Sequence, residues 1–111
     1  MENYFRITGN TLTIHVPAEL DHHNSEQIRN EADRILEMHN IRRIVFDFEK
    51  TIFMDSSGIG MMMGRYKNIR LTGGNVLAVR ANERIRRILT LSGVYKYIDI
   101  YEGLPRQWEI F

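Results

Sequence analysis

The segment RIVFDFEKTIFMDSSGIGMMMGRYKNIRL, residues 43–71, decides how the chain folds. It begins with a short and almost continuous apolar run at 43–48, a pattern typical of a central strand that is covered on both faces. A helix is predicted to begin near Asp55 or Ser56 and to end near Leu71, just before a pair of glycines. A buried strand that leads into a helix is typical of parallel α/β folds.

The N-terminal third predicts a β-hairpin followed by a helix. Apolar and polar residues alternate along 11–16, as in a strand with one buried face. Gly9-Asn10 supplies a two-residue turn that joins it to a strand at 3–8. Residues 24–38 carry apolar side chains at helical spacing, with Asn24 as the predicted N-cap. The hairpin therefore adds an antiparallel edge to the parallel strands.

The C-terminal third continues the alternation of strands and helices. It predicts a strand at 75–80, a helix capped by Asn82 and ended by Gly93, and a short strand at 97–101. A short terminal helix from Pro105 to the end of the chain is also predicted. The element order is β-β-α-β-α-β-α-β, with that terminal helix as a final element. The sequence thus predicts a mixed β-sheet with helices packed on it, an α/β fold.

Composition excludes several classes of function. The chain has 111 residues, 43% hydrophobic and 26% charged, which fits one globular domain spanning 1–111. Its formal net charge of +1 gives no overall field that would attract nucleic acid or an anionic membrane. Cysteine is absent, which excludes disulfides and thiolate nucleophiles. Neither a secretory signal nor a bilayer-spanning apolar run of about 20 residues is visible, so we expect a cytoplasmic protein.

The most unusual stretch is Phe53-Met54-Asp55-Ser56-Ser57-Gly58-Ile59-Gly60, which lies between a buried strand and a helix. Asp55 or Ser56 can accept hydrogen bonds from the free N–H groups of the first helical turn. Ser57 then lies at the positive end of the helix dipole, with its hydroxyl near the surface. The stretch is either a simple helix cap or a site in which Ser57 is a nucleophile, a contact for a phosphate ligand, or a phosphorylation site.

These alternatives make different chemical demands. A nucleophilic serine needs a general base that a third group orients, and the spacing selects none of the four histidines, His15, His22, His23 and His39. No GKS or GKT follows the glycines, as it does in a nucleotide-binding P-loop. A phosphate on Ser57 is tolerated by the helix dipole and the free N–H groups. Phosphorylation therefore fits the electrostatics best, because it adds a charge of about −2 without unfolding the domain.

The methionines after this stretch divide between core and surface. The predicted core face of the helix consists of Ile59, Met62, Met63, Tyr66 and Ile69. Met61 is therefore expected to point away from the core, where a flexible thioether suits an adaptable interface.

Two polar clusters have simple structural interpretations. His22-His23 is a poor metal pair, since adjacent residues rarely converge on one ion without further ligands, and we expect neither a metal nor another cofactor. Arg80, Arg84, Arg86 and Arg87 form a local basic cluster that is expected to be a solvated helix face. Nucleic-acid binding would need a larger basic surface or interleaved aromatic residues.

Residues 53–60, continued by Gly64-Arg65-Tyr66-Lys67, resemble the signature of the bacterial anti-sigma factor antagonists, which are free-standing STAS domains. Glu19-Leu20-Asp21-His22-His23 and Leu91-Ser92-Gly93-Val94-Tyr95-Lys96 match the family in register. The resemblance covers roughly residues 4–101, and it is greatest to the members that act on the sigma-F system of sporulation. It implies a single STAS-like domain.

The resemblance implies a partner-switching regulator rather than an enzyme. In this family the unphosphorylated antagonist binds an anti-sigma factor that is also a serine kinase, and the sigma factor is released. The kinase uses ATP to phosphorylate the antagonist, which ends binding, and a PP2C-type phosphatase restores it. The family's phosphorylated serine directly precedes the motif's glycine and maps to Ser57. The alternative is a STAS-type small-molecule sensor or scaffold in which Ser57 is not modified.

The resemblance also implies a partner surface. The family's acidic residue after Glu-Leu is a partner contact and maps to Asp21, in a loop expected at the same end of the sheet as Ser57. The expected partner-binding residues are Asp21, Asp55, Ser56, Ser57, Gly58, Ile59 and Met61. One departure precedes this loop, because Pro17-Ala18 stands where the family often has glycine. The free chain is expected to be a monomer.

Overall fold

The computed structural model describes residues 4–104. In chain order the elements are β1 (Phe5–Thr8), β2 (Thr11–His15), β3 (Glu19–Leu20), α1 (His22–Met38), β4 (Arg43–Asp47), β5 (Phe53–Met54), α2 (Ser56–Arg70), β6 (Asn75–Val79), α3 (Glu83–Leu91), a 3-10 turn (Val94–Lys96) and β7 (Asp99–Ile100). The predicted helix from Pro105 to Phe111 lies outside the described residues. Over 4–104, none of the helices is long and apolar enough to cross a membrane.

Five strands form the main sheet, in the order β1-β2-β4-β6-β7. β1 is antiparallel to β2, and every other neighbouring pair is parallel, so the predicted mixed sheet is confirmed. β4 lies at the centre, where Ile44 is in register with Leu12 on one side and Val76 on the other. The apolar run at 43–48 therefore occupies the position that its composition predicts.

The two faces of this sheet are covered differently. Ile44 and Phe46 join a large core that includes buried side chains from all three helices, among them Ile28, Met62 and Leu89. The opposite face carries a small buried cluster of Val45, Leu77 and Val79, against which Tyr101 and Leu104 pack. The helices thus lie together on one face, and Tyr101 and Leu104, which follow β7, cover part of the other.

A second, two-stranded sheet was not predicted from the sequence. Residues Glu19–Leu20 pair in parallel with Phe53–Met54, so that Leu20 is in register with Met54. Each strand has only two residues, which is too short for an alternating pattern to be recognised. The Pro17-Ala18 departure does not disturb this connection, because the Ala18 carbonyl accepts from the N–H groups of Ile52 and Phe53, at 2.8 and 3.1 Å.

The start of α1 differs from the predicted one. The helix begins at His22, and Asp21 rather than Asn24 is its N-cap, accepting from the Asn24 N–H at 2.9 Å. The Asn24 amide donates instead to the Glu19 carbonyl at 2.7 Å. Both residues are good N-caps, and β3 decides between them because it holds the chain extended up to residue 20.

Met61 is buried, so the expectation that it would be exposed is wrong. The buried residues of α2 are Gly58, Met61, Met62, Arg65 and Ile69, whereas Ile59, Met63 and Tyr66 are only half-buried. The apolar pattern misplaced the buried face of α2 because that face includes a glycine and an arginine, which are not apolar side chains. Arg65 is 7% exposed and pairs with Asp33 of α1, Nε to Oδ1, at 3.0 Å.

Gly58 packs where β3, β5 and α2 meet, and this contact gives a test of the fold. A Cβ placed on Gly58 would lie 2.7 Å from Leu20 Cδ2 and 2.9 Å from Met54 Cγ, whereas one on Gly60 would meet nothing within 4 Å. Gly58→Ala should therefore lower the free energy of unfolding by about 1–3 kcal/mol. The matched control, Gly60→Ala, should be neutral or stabilising by up to about 1 kcal/mol. Urea unfolding of both variants measures this, and equal effects would contradict the packing.

Candidate functional site

The first turns of α1 and α2 lie side by side because β3 and β5 are paired. Each of these strands is followed by one aspartate and then by a helix. Asp21 caps α1, and Asp55 caps α2 by accepting from the Ser57 N–H at 2.9 Å. The Asp55 N–H donates to the Leu20 carbonyl at 3.3 Å, which ties the two caps together. The structure thus brings Asp21 and the 53–60 stretch together, as the sequence predicts.

The two serines of the stretch occupy different environments. Ser56 is exposed, whereas Ser57 is half-buried at the second position of α2. Gly58 is buried against Leu20, and Ile59 is half-buried. Ser57 therefore combines a partly accessible hydroxyl with a backbone that its neighbours hold in place.

His22 is the histidine that contacts Ser57. Its Nδ1 lies 3.3 Å from the Ser57 Oγ, and its Nε2 lies 3.5 Å from the Glu26 carboxylate one turn further along α1. The sequence left four candidate histidines open, and the pairing of β3 with β5 selects this one. It could not be found from the sequence, since 35 residues separate it from Ser57.

A cleft of about 340 Å³ separates the two helices beside Ser57. It is lined by His22, Ser25, Glu26, Arg29, Ser57, Gly60 and Met61. Met61, although buried, forms part of its wall. The Ser25 hydroxyl is also buried, at 3% residue exposure, and it has no hydrogen-bond partner among the described residues.

Two apolar side chains next to this site are exposed. Ile52 is 61% exposed and Phe53 is 42% exposed, although the next residue, Met54, is buried. Large apolar side chains exposed together are characteristic of a protein interaction surface. They extend the candidate surface beyond the residues that the sequence singled out.

Comparison with known proteins decides the family. The STAS domain family matches residues 5–105, which is most of the chain. The chain belongs to the STAS family. Among curated relatives, the anti-sigma F factor antagonist of Paenibacillus polymyxa is 36% identical over 92 residues, covering 83% of this chain and 79% of the relative. The anti-sigma-B factor antagonist of Bacillus subtilis is 25% identical over 91 residues and covers 82% of each chain.

Solved structures of this family have the same fold. The anti-sigma factor antagonist SpoIIAA in its unphosphorylated form superposes with a TM-score of 0.80 at 27% identity, covering 93% of this chain and 90% of that chain. SpoIIAA of Bacillus in its phosphorylated form superposes with a TM-score of 0.72, also at 27% identity, covering 93% and 94%. The STAS fold that the motifs imply is therefore confirmed.

A second polar cluster in this STAS domain lies at the ends of the central strands. Asp47, at the end of β4, is 4% exposed and receives hydrogen bonds from both Nε and a terminal nitrogen of Arg80. His15 Nδ1 lies 3.1 Å from the same carboxylate. The sequence predicts that Arg80 belongs to a solvated helix face. This prediction is wrong for Arg80, because its side chain pairs with Asp47. In the basic cluster Arg86 also pairs with Glu102, at 3.3 Å.

The Asp47 carboxylate is held in its charged form. Burial by itself would raise its pKa. The hydrogen bonds from Arg80 and from the Glu49 N–H, with the charges of Arg80 and His15, outweigh burial and lower the pKa below its ordinary value. Arg80 has a φ of 55°, which is uncommon for a residue with a side chain, and in this conformation its guanidinium pairs with Asp47.

The STAS domain has no group of three or more His, Asp or Glu residues within 4–104 that could hold a metal ion. His22 and His23 are both exposed in the first turn of α1, rather than in a loop.

Asp47→Asn tests the electrostatic cluster through its pH dependence. Because the folded pKa lies below the unfolded one, the contribution of Asp47 is present above the unfolded value of about 3.9 and is lost as pH falls through the folded value. The substitution should lower the free energy of unfolding by about 1–3 kcal/mol at neutral pH, and the difference from wild type should narrow below about pH 4. Urea unfolding across this range measures it, with the exposed Asp99→Asn as control. A pH-independent difference would contradict the assignment.

Proposed function

We propose that this STAS domain is an anti-sigma factor antagonist of the cytoplasm that works by partner switching. Its unphosphorylated form binds an anti-sigma factor that is also a serine kinase, and the sigma factor is released. The kinase transfers phosphate from ATP to Ser57, binding ends, and a PP2C-type phosphatase restores the active form. The names of the relatives support the antagonist function, and the two solved forms of SpoIIAA support phosphorylation as the switch.

The position of Ser57 is the observation that carries this proposal. It lies at the second position of a 15-residue helix, half-buried, beside the first turn of α1. A phosphate on its hydroxyl meets the positive end of the helix dipole, so the free protein can accept the modification without refolding. Ser56 is more exposed, but Ser57 directly precedes the glycine that aligns with the family motif.

The proposed partner surface combines charge with apolar contact. Asp21 and Asp55 are half-buried caps, and Ser56 is exposed at the first position of α2. Ile59 is half-buried nearby, and Gly58 contributes only backbone. The exposed Ile52 and Phe53 supply apolar area next to these polar groups. An anti-sigma factor that buries this surface would desolvate Ser57 at the same time.

Desolvation explains how a single phosphate ends binding. An uncompensated charge buried at an interface costs about 2–5 kcal/mol. At about 1.4 kcal/mol per factor of ten, this lowers affinity roughly 30-fold to several thousand-fold. The switch is therefore local, acting through charge and bulk at the interface.

Two other functions fit the structure less well. A small-molecule sensor or scaffold on the same fold would leave Ser57 unmodified, and phosphate transfer separates it from an antagonist. A serine hydrolase would use Ser57, His22 and Glu26 as a triad. His22 and Glu26 are 80% and 52% exposed, however, so neither the imidazole nor its carboxylate partner is shielded from water as a triad requires.

Substitution of the two serines tests the modified residue. Incubation with the cognate anti-sigma kinase and ATP should add one phosphate to the wild type and none to Ser57→Ala. The matched control Ser56→Ala should still accept phosphate, because its neighbour is intact. Intact-mass and peptide analysis give the result. Undiminished phosphorylation of Ser57→Ala would overturn the assignment.

The capping role of Asp21 determines how its partner contact must be tested. Asp21→Asn removes the charge but keeps an oxygen that can accept from the Asn24 N–H, so the melting temperature should change little. Affinity for the anti-sigma factor should fall about tenfold or more. Asp21→Ala should lose affinity and also about 1 kcal/mol of stability with the cap. Full affinity of Asp21→Asn, measured by calorimetry, would show that Asp21 is only structural.

A further inference from the structure

The cleft between α1 and α2 has room for a ligand that is attached to the protein itself. Its volume is about 340 Å³, whereas one water molecule occupies about 30 Å³ of liquid. Ser57 lies on its wall, so a group carried by the Ser57 oxygen starts at the cleft. The first turn of α1 forms the opposite wall, with His22, Ser25 and Glu26.

The buried hydroxyl of Ser25 lacks a partner. Its oxygen is inaccessible to solvent, and within residues 4–104 it makes no hydrogen bond. Buried hydroxyls are normally paired, since burying one unpaired is unfavourable. The Ser25 backbone N–H, in contrast, donates to the Asp21 carbonyl at 2.9 Å. Ser25 lines the cleft, and its hydroxyl is an unpaired donor just behind the cleft surface.

Positive charge also faces the cleft. Arg29, an exposed side chain one turn after Ser25, lines it, and Arg29 forms no ion pair within the described part of the chain. The pKa of Arg65 is lowered, mainly because its side chain is buried. The Asp33 carboxylate opposes this shift, and the nearby charge of Arg29 adds to it. The acidic groups nearby are Glu26, on the wall, and the caps Asp21 and Asp55.

His22 can change from a hydrogen-bond acceptor to a donor when Ser57 is phosphorylated. In the free protein its Nδ1 can accept from the Ser57 hydroxyl, and its Nε2 lies 3.5 Å from the Glu26 carboxylate. A phosphate dianion has no proton to give, so Nδ1 must then donate. A doubly protonated imidazole can donate to phosphate and to Glu26 at once.

From these observations we propose that the cleft is a phosphate receptor, in which His22, Ser25 and Arg29 of α1 bind the phosphomonoester carried by Ser57. This inference rests on the proposed phosphorylation of Ser57. In the free domain the phosphate is bound by these side chains of α1 and links the two helices across the cleft, while its charge and bulk remain next to the partner surface. The free domain thereby supplies the phosphate with hydrogen bonds and positive charge. The phosphate would lack both when buried at a partner interface.

Titration of the phosphate by phosphorus NMR tests this receptor. Phosphoserine is placed at residue 57 during translation, so no kinase is needed. The second ionisation of the phosphate should occur about one pH unit lower in the folded chain than in the same chain in concentrated urea. His22→Gln, Ser25→Ala and Arg29→Gln should each move it back toward the unfolded value. The control Arg34→Gln, on an exposed part of α1 and paired with Glu31, should not.

Two outcomes would contradict the proposed phosphate receptor. Both can be distinguished from a failure of the proposed partner switch. If the three variants titrate like the wild type, the phosphate points to solvent. If inorganic phosphate, added to the unphosphorylated chain, shifts the amide signals of the cleft with sub-millimolar affinity, the cleft belongs to a free ligand instead. We expect free phosphate not to saturate the cleft at sub-millimolar concentrations. Only covalent attachment to Ser57 gives the phosphate a high effective concentration there. Anti-sigma affinity of the same phosphoprotein tests the proposed function separately.

Discussion

The parallel pairing of Glu19–Leu20 with Phe53–Met54 is the constraint on which the site depends. Both strands end at the same level, and each leads through one aspartate cap into a helix. The two helices must therefore begin side by side, with His22 next to Ser57. Neither short strand would be stable alone, because so few backbone hydrogen bonds cannot offset the ordering of the chain. They persist because Leu20 and Met54 are buried in the main core around Gly58.

Polar side chains connect this small sheet to the main one. The Thr51 hydroxyl, in a residue only 1% exposed, donates to the carbonyls of Val16 and Pro17 at 3.2 and 3.0 Å. Asn82 caps α3 with its side-chain oxygen and donates its amide to the Thr51 carbonyl at 3.0 Å. Hydrogen bonds thus join the segments that follow β2, β4 and β6. Because these hydrogen bonds stabilise the framework, we expect a phosphate added at the surface to change the surface and to leave the fold intact.

Most of the fold could be predicted because the signals are local. The order of the major elements, the central position of 43–48 and the cap Asn82 follow from periodicity and capping chemistry, which left Asp55 and Ser56 as alternative caps of α2. The predictions failed where residue type did not reveal environment. Met61 was expected to be exposed because the buried stripe of α2 includes Gly58 and Arg65, which no hydrophobic pattern contains.

The amino-acid sequence by itself determined the α/β class, the STAS motifs and the serine at the start of α2, since each depends on residues close together in the chain. Only the tertiary structure decided which groups surround that serine. His22, Ser25 and Arg29 come from α1, about 30 residues away, and no local pattern specifies their approach. Their position follows from the register of two short strands, which the burial of Leu20 and Met54 stabilises. Long-range packing of this kind is a property of the whole core, so it cannot be inferred from any one segment.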